Sequence, residues 1–331
     1  MAKPDLPSPI PHLPILIAGP TAIGKSEIAL RLAEQLGGEI VSADSMQVYR
    51  GLDIGTAKPA PDDRARVPHH LIDIRNLSES FDAAQFARLA HRTVAEIQSR
   101  GRVPVLCGGT GLYFRAFLEG VGEAPPADPG LRAELEAAPL EQLLAELRER
   151  DPAAYEKIDR KNPRRVVRAI EVIRLTGQPF STQQSRWGET PGESEARSSR
   201  CDDRTAQRAV PANPNFFCFV RQPEDLHARI NTRVDTMFRR GLVEETRELL
   251  KHGLAENKTA MQAIGYRQVV EHLKGERSLK ETIELVKIRT RQFAKRQLTW
   301  FRRQKNLEWI ELKPEGPLEE ITADLLRRFQ E

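Results

Sequence analysis

The segment Gly19–Ser26 constrains the fold more than any other part of the sequence. It reads GPTAIGKS and fits the P-loop pattern G-x-x-x-x-G-K-S/T. An apolar run, Ile15–Ala18, precedes it and a helical pattern, Lys25–Leu36, follows, which is the strand–loop–helix context that the motif requires. Such a loop surrounds phosphate oxygens with N–H groups, while the lysine supplies a cation and the hydroxyl binds Mg²⁺. The residues predicted to hold a phosphate group are Gly19, Pro20, Thr21, Ala22, Ile23, Gly24, Lys25 and Ser26, with Mg²⁺ as cofactor at Ser26.

The pattern does not decide whether the phosphates belong to ATP or to another diphosphate. Two further strands, Glu39–Ala43 and Val103–Cys107, follow, with a predicted helix over Phe81–Arg100 between them. This repeated βα alternation predicts a parallel sheet covered by helices on both faces.

The composition changes after Gly122. A Pro/Ala/Asp-rich stretch opens a charge-rich helical region that runs to about Gly177. We therefore predict an α/β fold: a P-loop core with a parallel sheet flanked by helices, plus an inserted helical domain. The expected divisions are 1–122 for the first part of the core, 123–210 for the helical insertion and a mobile loop, and 211–331 for the return to the core.

The return to the core begins with a predicted strand, Phe216–Val220, after a polar segment, Thr190–Pro214, that is typical of a mobile loop. Two long amphipathic helices follow, and we expect their apolar faces to pack in the core. Those faces comprise Leu226, Ile230, Val234 and Met237 in the first helix, and Leu279, Ile283, Val286 and Phe293 in the second.

Two more polar motifs follow the predicted strands. Asp44, Ser45, Met46 and Gln47 come directly after the second strand, at the edge where open parallel sheets bind ligands. A carboxylate there can act as a general base, or Asp44 can simply cap a helix with Gln47 completing a capping box. The third motif, Gly108–Tyr113, reads GGTGLY, and its glycines allow close approach to the backbone, although a plain turn remains an alternative.

Charge is informative through its distribution rather than its total, because the net charge is only +4. The segment Leu285–Leu307 contains no acidic residue but is rich in lysine and arginine, which indicates a polyanion partner. No apolar run is long enough to cross a bilayer, and the proline-rich first residues lack the apolar core of a secretory signal, so we expect no membrane partner and a cytoplasmic location. Three widely spaced cysteines, Cys107, Cys201 and Cys218, predict free thiols rather than disulfides or a zinc site.

GPTAIGKS, SADSMQVY and GGTGLY, in this order and spacing, resemble the tRNA dimethylallyltransferase family. Similar segments elsewhere are NPRRVVRAIEV at Asn162–Val172, AIGYRQ at Ala263–Gln268 and RQFAKRQLTWFR at Arg291–Arg302, so the resemblance covers nearly the whole chain. Ile23 departs from the small residue expected at its position, and Ser26 stands where threonine is usual. Neither departure removes a phosphate-binding group.

The resemblance implies transfer of a dimethylallyl group from dimethylallyl diphosphate to N6 of the adenosine 3′ of the anticodon (position 37) of tRNA. Asp44 would be the general base, Thr110 would lie near the reacting groups, and Lys25 with Mg²⁺ would stabilise the leaving diphosphate. The residues that the resemblance places on the tRNA surface are Asp44, Ser45, Met46, Gln47, Thr110, Arg132, Arg164, Arg165, Val166, Val167, Arg168, Met261, Gln262, Ala263, Ile264, Gly265, Tyr266, Lys295, Arg296, Gln297, Leu298, Thr299, Trp300, Phe301 and Arg302. Trp300 or Tyr266 could stack on a base, but core packing is the stronger expectation for both. A monomer is the default expectation.

Three alternatives stay open at this point. A prenyltransferase acting on free adenine nucleotide would share the diphosphate site without needing a basic surface. A small-molecule P-loop kinase could use Asp73 as a metal-site carboxylate, although no arginine-rich lid is evident. A non-catalytic RNA-binding module is disfavoured because Lys25 and Asp44 are expected at one sheet edge.

Overall fold

A six-stranded sheet forms the centre of the part of the chain that the computed structural model describes, namely residues 13–120, 125–184, 215–304, 306–314, 316 and 318–330. The strands are β1 (Ile15–Ala18), β2 (Glu39–Ala43), β3 (His69–His70), β4 (Pro104–Gly108), β5 (Asn215–Val220) and β6 (Glu308–Glu311). Their order across the sheet is β3-β2-β4-β1-β5-β6, with parallel pairing throughout. The predicted parallel α/β sheet is confirmed.

The described residues also contain fourteen α-helices. They are α1 (Lys25–Gln35), α2 (Pro61–Arg66), α3 (Ala83–Ser99), α4 (Gly111–Glu119), α5 (Pro129–Ala137), α6 (Leu140–Arg150), α7 (Pro152–Lys157), α8 (Pro163–Thr176), α9 (Phe180–Gln184), α10 (Pro223–Arg239), α11 (Leu242–Lys251), α12 (Tyr266–Leu273), α13 (Leu279–Phe301) and α14 (Leu318–Gln330). A 3₁₀ turn, Ala260–Gln262, precedes α12. In these residues, no helix is both long enough and apolar enough to cross a bilayer.

The described residues fall into two compact units. We call the unit within Met1–Leu118 and Ala209–Glu331 the core unit, and the one within Glu119–Arg208 the helical unit. In the helical unit, Leu135, Leu147 and Ile170 belong to a separate apolar core formed mainly by α5, α6 and α8. Helix α8 ends at Gly177, whose φ of 69° is the left-handed conformation of a glycine C-cap.

In the core unit, apolar residues cover both faces of the sheet. Leu16 packs in one cluster and Ile17 in the other, because successive side chains of a strand point to opposite faces. All residues of β1, β2 and β4 are buried, as expected for strands covered on both sides. The apolar run Ile15–Ala18 follows from this double burial, whereas β2 also contains the buried polar residues Glu39 and Ser42.

The long helices follow the apolar pattern except at Leu279 and Phe293 of α13, and Phe293 is partly buried outside the apolar clusters of the core. Leu226, Ile230, Val234 and Met237 are all buried on α10, and Val286 is buried on α13. Leu279, however, is 44% exposed, so the expectation that it belongs to the core was wrong. It is the first residue of α13, directly after the capping box of Ser278 and Glu281, and so it lies in the first turn, outside the packed part of the helix. The Thr190–Pro214 segment lies outside the described residues.

Candidate active site

A cleft of about 380 Å³ lies in the core unit, where β2 and β4 end. The glycine-rich loop, the turn after β2, the loop after β4 and helices α10 and α13 all contribute to its walls. Its lining includes Lys25, Asp44, Thr110, Arg233 and Gln297. The cleft also includes Thr21, Ser26, Ser45, Met46, Gln47, Gly55, Thr56, Ala57, Cys107, Gly108, Val234, Met237, Gln262, Ala263, Ile264, Val286, Thr290, Phe293 and Arg296.

The glycine-rich loop joins β1 to α1, and Lys25 and Ser26 form the first turn of that helix. Lys25 Nζ donates a hydrogen bond to Pro20 O at 3.2 Å. The surrounding protein desolvates the ammonium group and lowers the pKa of Lys25, although Cys107 and Asp44 counter part of this effect. A partly buried cation with one acceptor among the described residues is well suited to receive an anion.

Asp44 is held by one of its two carboxylate oxygens. Its Oδ1 accepts hydrogen bonds from Met46 N at 2.8 Å and Gln47 N at 3.4 Å. Among the described residues, none donates a hydrogen bond to Oδ2. The alternative that Asp44 caps a helix is wrong, because the N–H groups that Oδ1 accepts from belong to a turn. The Gln47 side chain instead accepts from Ser42 Oγ at 2.9 Å, so it does not complete a capping box.

Thr110 connects the loop after β4 to the turn that carries Asp44. Its Oγ1 accepts a hydrogen bond from Ser45 N at 3.1 Å and donates one to Ser45 Oγ at 3.4 Å. Its own N–H donates to Ala43 O at 3.3 Å. The hydroxyl therefore fixes the peptide directly after Asp44, so Thr110 lies beside the turn that carries Asp44, and both line the same cleft as Lys25.

Arg233 is a cleft residue that the sequence reasoning missed. It extends from α10, its Nη2 donates to Thr56 O at 3.5 Å, and burial lowers its pKa while Asp44 opposes that shift. The available signal was the helix phase, because Arg233 lies beside Val234 and three residues after Ile230 on the buried side of α10. That phase identifies an arginine at the border of the core, but not the cleft that it faces.

The loop after β4 is filled by the protein itself. A Cβ atom on Gly109 would lie 2.4 Å from Gln297 Nε2, and one on Gly111 would lie 2.1 Å from Trp300 Cε3. Gln297 Nε2 donates to Gly109 O at 2.8 Å, and Gln297 Oε1 accepts from Thr21 N at 3.0 Å. The close approach that the GGTGLY motif predicted is therefore explained by α13 packing against this loop.

The residues predicted to contact tRNA divide by exposure. In the core unit, Lys295, Arg296, Thr299 and Arg302 are exposed on or just after α13, as is Gln262 in the 3₁₀ turn. Ser45, Met46, Gln47, Met261, Ile264, Leu298 and Trp300 are partly buried, and Gln297, Phe301, Ala263, Gly265 and Tyr266 are buried.

Both aromatic candidates for base stacking have protein partners. Tyr266 is fully buried, and its hydroxyl donates to Glu245 Oε1 at 2.6 Å. The Trp300 ring lies against Gly111 and Phe301. These contacts favour the core alternative over base stacking.

In the helical unit, the predicted basic contacts are arranged around one buried carboxylate. Glu171 is fully buried and receives hydrogen bonds from both Arg132 and Arg168. Arg164 and Arg165 are exposed on α8, whereas Val166 and Val167 are buried in the core of this unit. Arg132 and Arg168 are thus both held by this buried carboxylate.

Two other candidate groups are also committed to protein partners. Asp73 forms ion pairs with Lys58 and Arg64. Burial alone would raise the Asp73 pKa, but these two cations outweigh it and leave the pKa lowered. Cys107 is a buried free thiol whose pKa burial raises to about 11. Neither group therefore offers a free metal-site carboxylate or a thiolate nucleophile.

The parallel sheet and the cleft where its strands end define an α/β protein with a ligand site at the carboxyl edge of the sheet. Residues 47–304 match the family model described as IPP transferase. The chain belongs to this family, that of the tRNA dimethylallyltransferases.

Relatives and solved structures extend the match over most of the chain. The chain is 44% identical over 300 residues to tRNA dimethylallyltransferase 1 of Trichlorobacter lovleyi, covering 89% of this chain and 92% of that protein. It is 47% identical over 299 residues to the tRNA dimethylallyltransferase of Halorhodospira halophila, covering 88% and 90%.

Among solved structures, the full-length tRNA isopentenylpyrophosphate transferase of Bacillus halodurans aligns with a TM-score of 0.68 at 37% identity, covering 96% of this chain and 97% of that one. A eukaryotic dimethylallyltransferase described as acting on tRNA aligns with a TM-score of 0.74 at 25% identity, covering 95% and 77%.

Proposed function

We propose that this chain modifies tRNA by transferring a dimethylallyl group from dimethylallyl diphosphate to N6 of the adenosine immediately 3′ of the anticodon (position 37), releasing diphosphate. Family membership supports the reaction class. One observation carries the assignment of roles: a cleft with Lys25 and Arg233 also contains Asp44, whose Oδ2 accepts no hydrogen bond from the described residues. An anionic leaving group and a proton donor require this combination.

In this proposal the glycine-rich loop binds the diphosphate group of the prenyl donor. As the allylic carbon–oxygen bond breaks, negative charge grows on the diphosphate, and the Lys25 and Arg233 cations together with the loop N–H groups stabilise it. The cleft also fits Mg²⁺, since the Ser26 hydroxyl that lines it is an oxygen ligand of the kind that this ion prefers. Bound there with phosphate oxygens, the ion would neutralise part of the diphosphate charge.

Asp44 serves the adenine end of the reaction. The exocyclic amine is a weak nucleophile because its lone pair is delocalised into the ring. As the N6–carbon bond forms and the carbon–oxygen bond breaks, N6 loses a proton, and Asp44 Oδ2 accepts it. The hydrogen bonds to Oδ1 hold the carboxylate in place, while Thr110 fixes the peptide that follows. In this proposal Thr110 positions the base.

Recognition of tRNA requires contacts outside the cleft. A stacked adenine cannot reach a cleft of this kind, so the base must leave the anticodon loop. The exposed cations Lys295 and Arg302 on or after α13, together with Arg296 at the cleft, would bind backbone phosphates in the core unit, and Arg164 and Arg165 would do so in the helical unit. Phosphate contacts of this kind set the position of the tRNA, while base contacts select it.

The direct test is transfer of radiolabelled dimethylallyl diphosphate, with Mg²⁺, into unmodified tRNA that has adenosine 3′ of the anticodon. Free AMP and ATP are offered in parallel reactions. We expect label in tRNA alone. Label in a free nucleotide would instead identify a nucleotide prenyltransferase, and ATP consumption without prenyl transfer would identify a kinase. Either result would refute the proposal.

A further inference from the structure

Three consecutive residues of the glycine-rich loop are each held by a side chain from a distant part of the chain. Thr21 N donates to Gln297 Oε1 at 3.0 Å. Ala22 O accepts from Arg229 Nε at 3.0 Å, and Ile23 O accepts from Arg221 Nε at 2.9 Å. Gln297 lines the cleft, but the two arginines do not. They grip the loop from outside the ligand site.

The residue that Arg229 holds is strained. Ala22 has a φ of 64°, in the left-handed region that is sterically unfavourable for a residue with a Cβ atom. Such a conformation persists only where surrounding contacts enforce it. The hydrogen bond from Arg229 to the carbonyl of this residue is one such contact.

The two carbonyl contacts also orient the loop N–H groups. A trans peptide is planar, so the C=O of one residue and the N–H of the next point in opposite directions. With Ala22 O directed to Arg229 and Ile23 O directed to Arg221, the N–H groups of Ile23 and Gly24 point away from both guanidinium groups. These two N–H groups are among those with which a loop of this pattern binds phosphate.

Arg221 is itself rigidly placed. Its side chain is only 4% exposed, and its Nη1 donates to Asp225 Oδ2 at 2.8 Å and to Lys313 O at 3.2 Å. Arg229 is exposed, and among the described residues its side chain donates a hydrogen bond only to Ala22 O. Arg229 therefore offers a clean test, because its removal disturbs little else.

We propose that Arg221 and Arg229 are positioning residues for diphosphate binding: they hold the Ala22 and Ile23 carbonyls and thereby orient the loop N–H groups toward the substrate. This inference rests on the proposed function, in which the loop binds the diphosphate of the prenyl donor. Neither arginine needs to touch the substrate in this role. The effect of losing them should therefore be confined to the diphosphate substrate.

The test is steady-state kinetics of Arg229→Gln with each substrate varied in turn. We expect the KM for dimethylallyl diphosphate to rise about tenfold while kcat changes by less than about threefold and the KM for tRNA stays within about twofold, because a lost hydrogen bond here weakens ground-state and transition-state binding alike. Arg239→Gln is the matched control, since Arg239 lies on the same helix and donates to Thr236 of that helix. It should leave the KM for dimethylallyl diphosphate unchanged.

A second substitution tests the mechanism. Glycine adopts the left-handed conformation without strain. Adding Ala22→Gly to Arg229→Gln should therefore lower the KM for dimethylallyl diphosphate by at least about threefold relative to Arg229→Gln alone. Arg229→Lys keeps the charge and one donor and should fall between wild type and Arg229→Gln. An unchanged KM for dimethylallyl diphosphate in Arg229→Gln, an equal rise in both KM values, or no recovery with glycine would overturn the inference.

A calorimetric titration with inorganic diphosphate and Mg²⁺ separates this inference from the proposed function. If the wild type transfers no label to tRNA, the proposed function fails, but weaker diphosphate binding by Arg229→Gln than by wild type would still support the positioning role. If the wild type transfers label and Arg229→Gln binds diphosphate as tightly as the wild type does, the positioning role fails and the function stands.

Discussion

Two glycine-rich loops follow neighbouring strands of the same sheet, and they use their glycines differently. In the loop after β4, α13 occupies the space at Gly109 and Gly111 with the side chains of Gln297 and Trp300. In the loop after β1, the carbonyls are gripped from outside and Lys25 faces the cleft. Glycine content alone therefore does not identify a ligand site. What identifies a ligand site is whether the polar groups of the loop face the cleft or bond to the protein.

Of the substitutions in the two loops, Lys25→Met in the first loop should have the largest effect. Removing one preorganised charge donor from a developing anion costs about 10²–10³-fold in kcat. The methionine leaves only Pro20 O without its hydrogen bond and removes a desolvated cation, so the melting temperature should change little. Transfer of label and thermal unfolding measure the two quantities. A variant within tenfold of wild-type activity would remove Lys25 from the diphosphate site.

A smaller loss of activity is expected for Thr110→Val in the second loop. Valine keeps the shape but leaves Ser45 N without its acceptor, so the turn that carries Asp44 loses one restraint. We expect kcat to fall about tenfold, the equivalent of one hydrogen bond, with the KM for tRNA nearly unchanged.

Thr322→Val on α14 is the control for Thr110→Val, since its hydroxyl donates to Leu318 O of its own helix, away from the cleft. Equal kcat losses in the two variants would argue against a positioning role for Thr110.

The second loop should respond to Gly111→Ala through stability. The new Cβ atom would lie 2.1 Å from the Trp300 ring, and overpacking of this kind costs about 1–3 kcal/mol. That corresponds to a melting temperature lower by about 2–10 °C. Gly130→Ala is the matched control, because its Cβ would make only an ordinary contact with the Asp128 side chain. If Gly111→Ala melted like wild type, the packing explanation of this loop would be wrong.

The sequence predicted the buried central strands better than the short edge strands. The predicted strands Ile15–Ala18 and Glu39–Ala43 matched β1 and β2 at both ends. In β1 the signal is an unbroken apolar run, as expected for a strand that is buried on both faces. That placed Lys25 and Asp44 at one edge of the sheet. The short strands β3 and β6 carry no such signal, since β3 has two residues and β6 is largely exposed.

The partners of both loops were beyond the reach of sequence reasoning. Arg221, Arg229 and Arg233 lie about 200 residues after the loop they contact or face, and Gln297 lies 276 residues after Thr21. Helix phase indicates which side of α10 or α13 is buried, but it does not say which loop meets that side. Only the three-dimensional packing joins these residues to the cleft.

The smallest effect near neutral pH should be the titration of Lys25. Burial lowers its pKa below the ordinary 10.5, so it loses its proton at a lower pH than an exposed lysine does. Diphosphate binding is then complete below that lowered pKa and weakens as the pH rises through it. Inhibition by inorganic diphosphate, measured from pH 7 upward, gives the profile. Lys25→Arg should move the loss to higher pH, and a profile unchanged by that substitution would assign the titration elsewhere.

The most informative single experiment compares Asp44→Asn with wild type under single-turnover conditions, with tRNA affinity measured on the same samples. Asparagine keeps an oxygen to accept from Met46 N, so the turn is retained while the base is lost. We expect the transfer rate to fall by about 10²–10⁴-fold, the usual contribution of general base catalysis, with tRNA affinity within about tenfold of wild type. A normal transfer rate combined with a large loss of tRNA binding would contradict the assignment and make Asp44 a recognition residue instead.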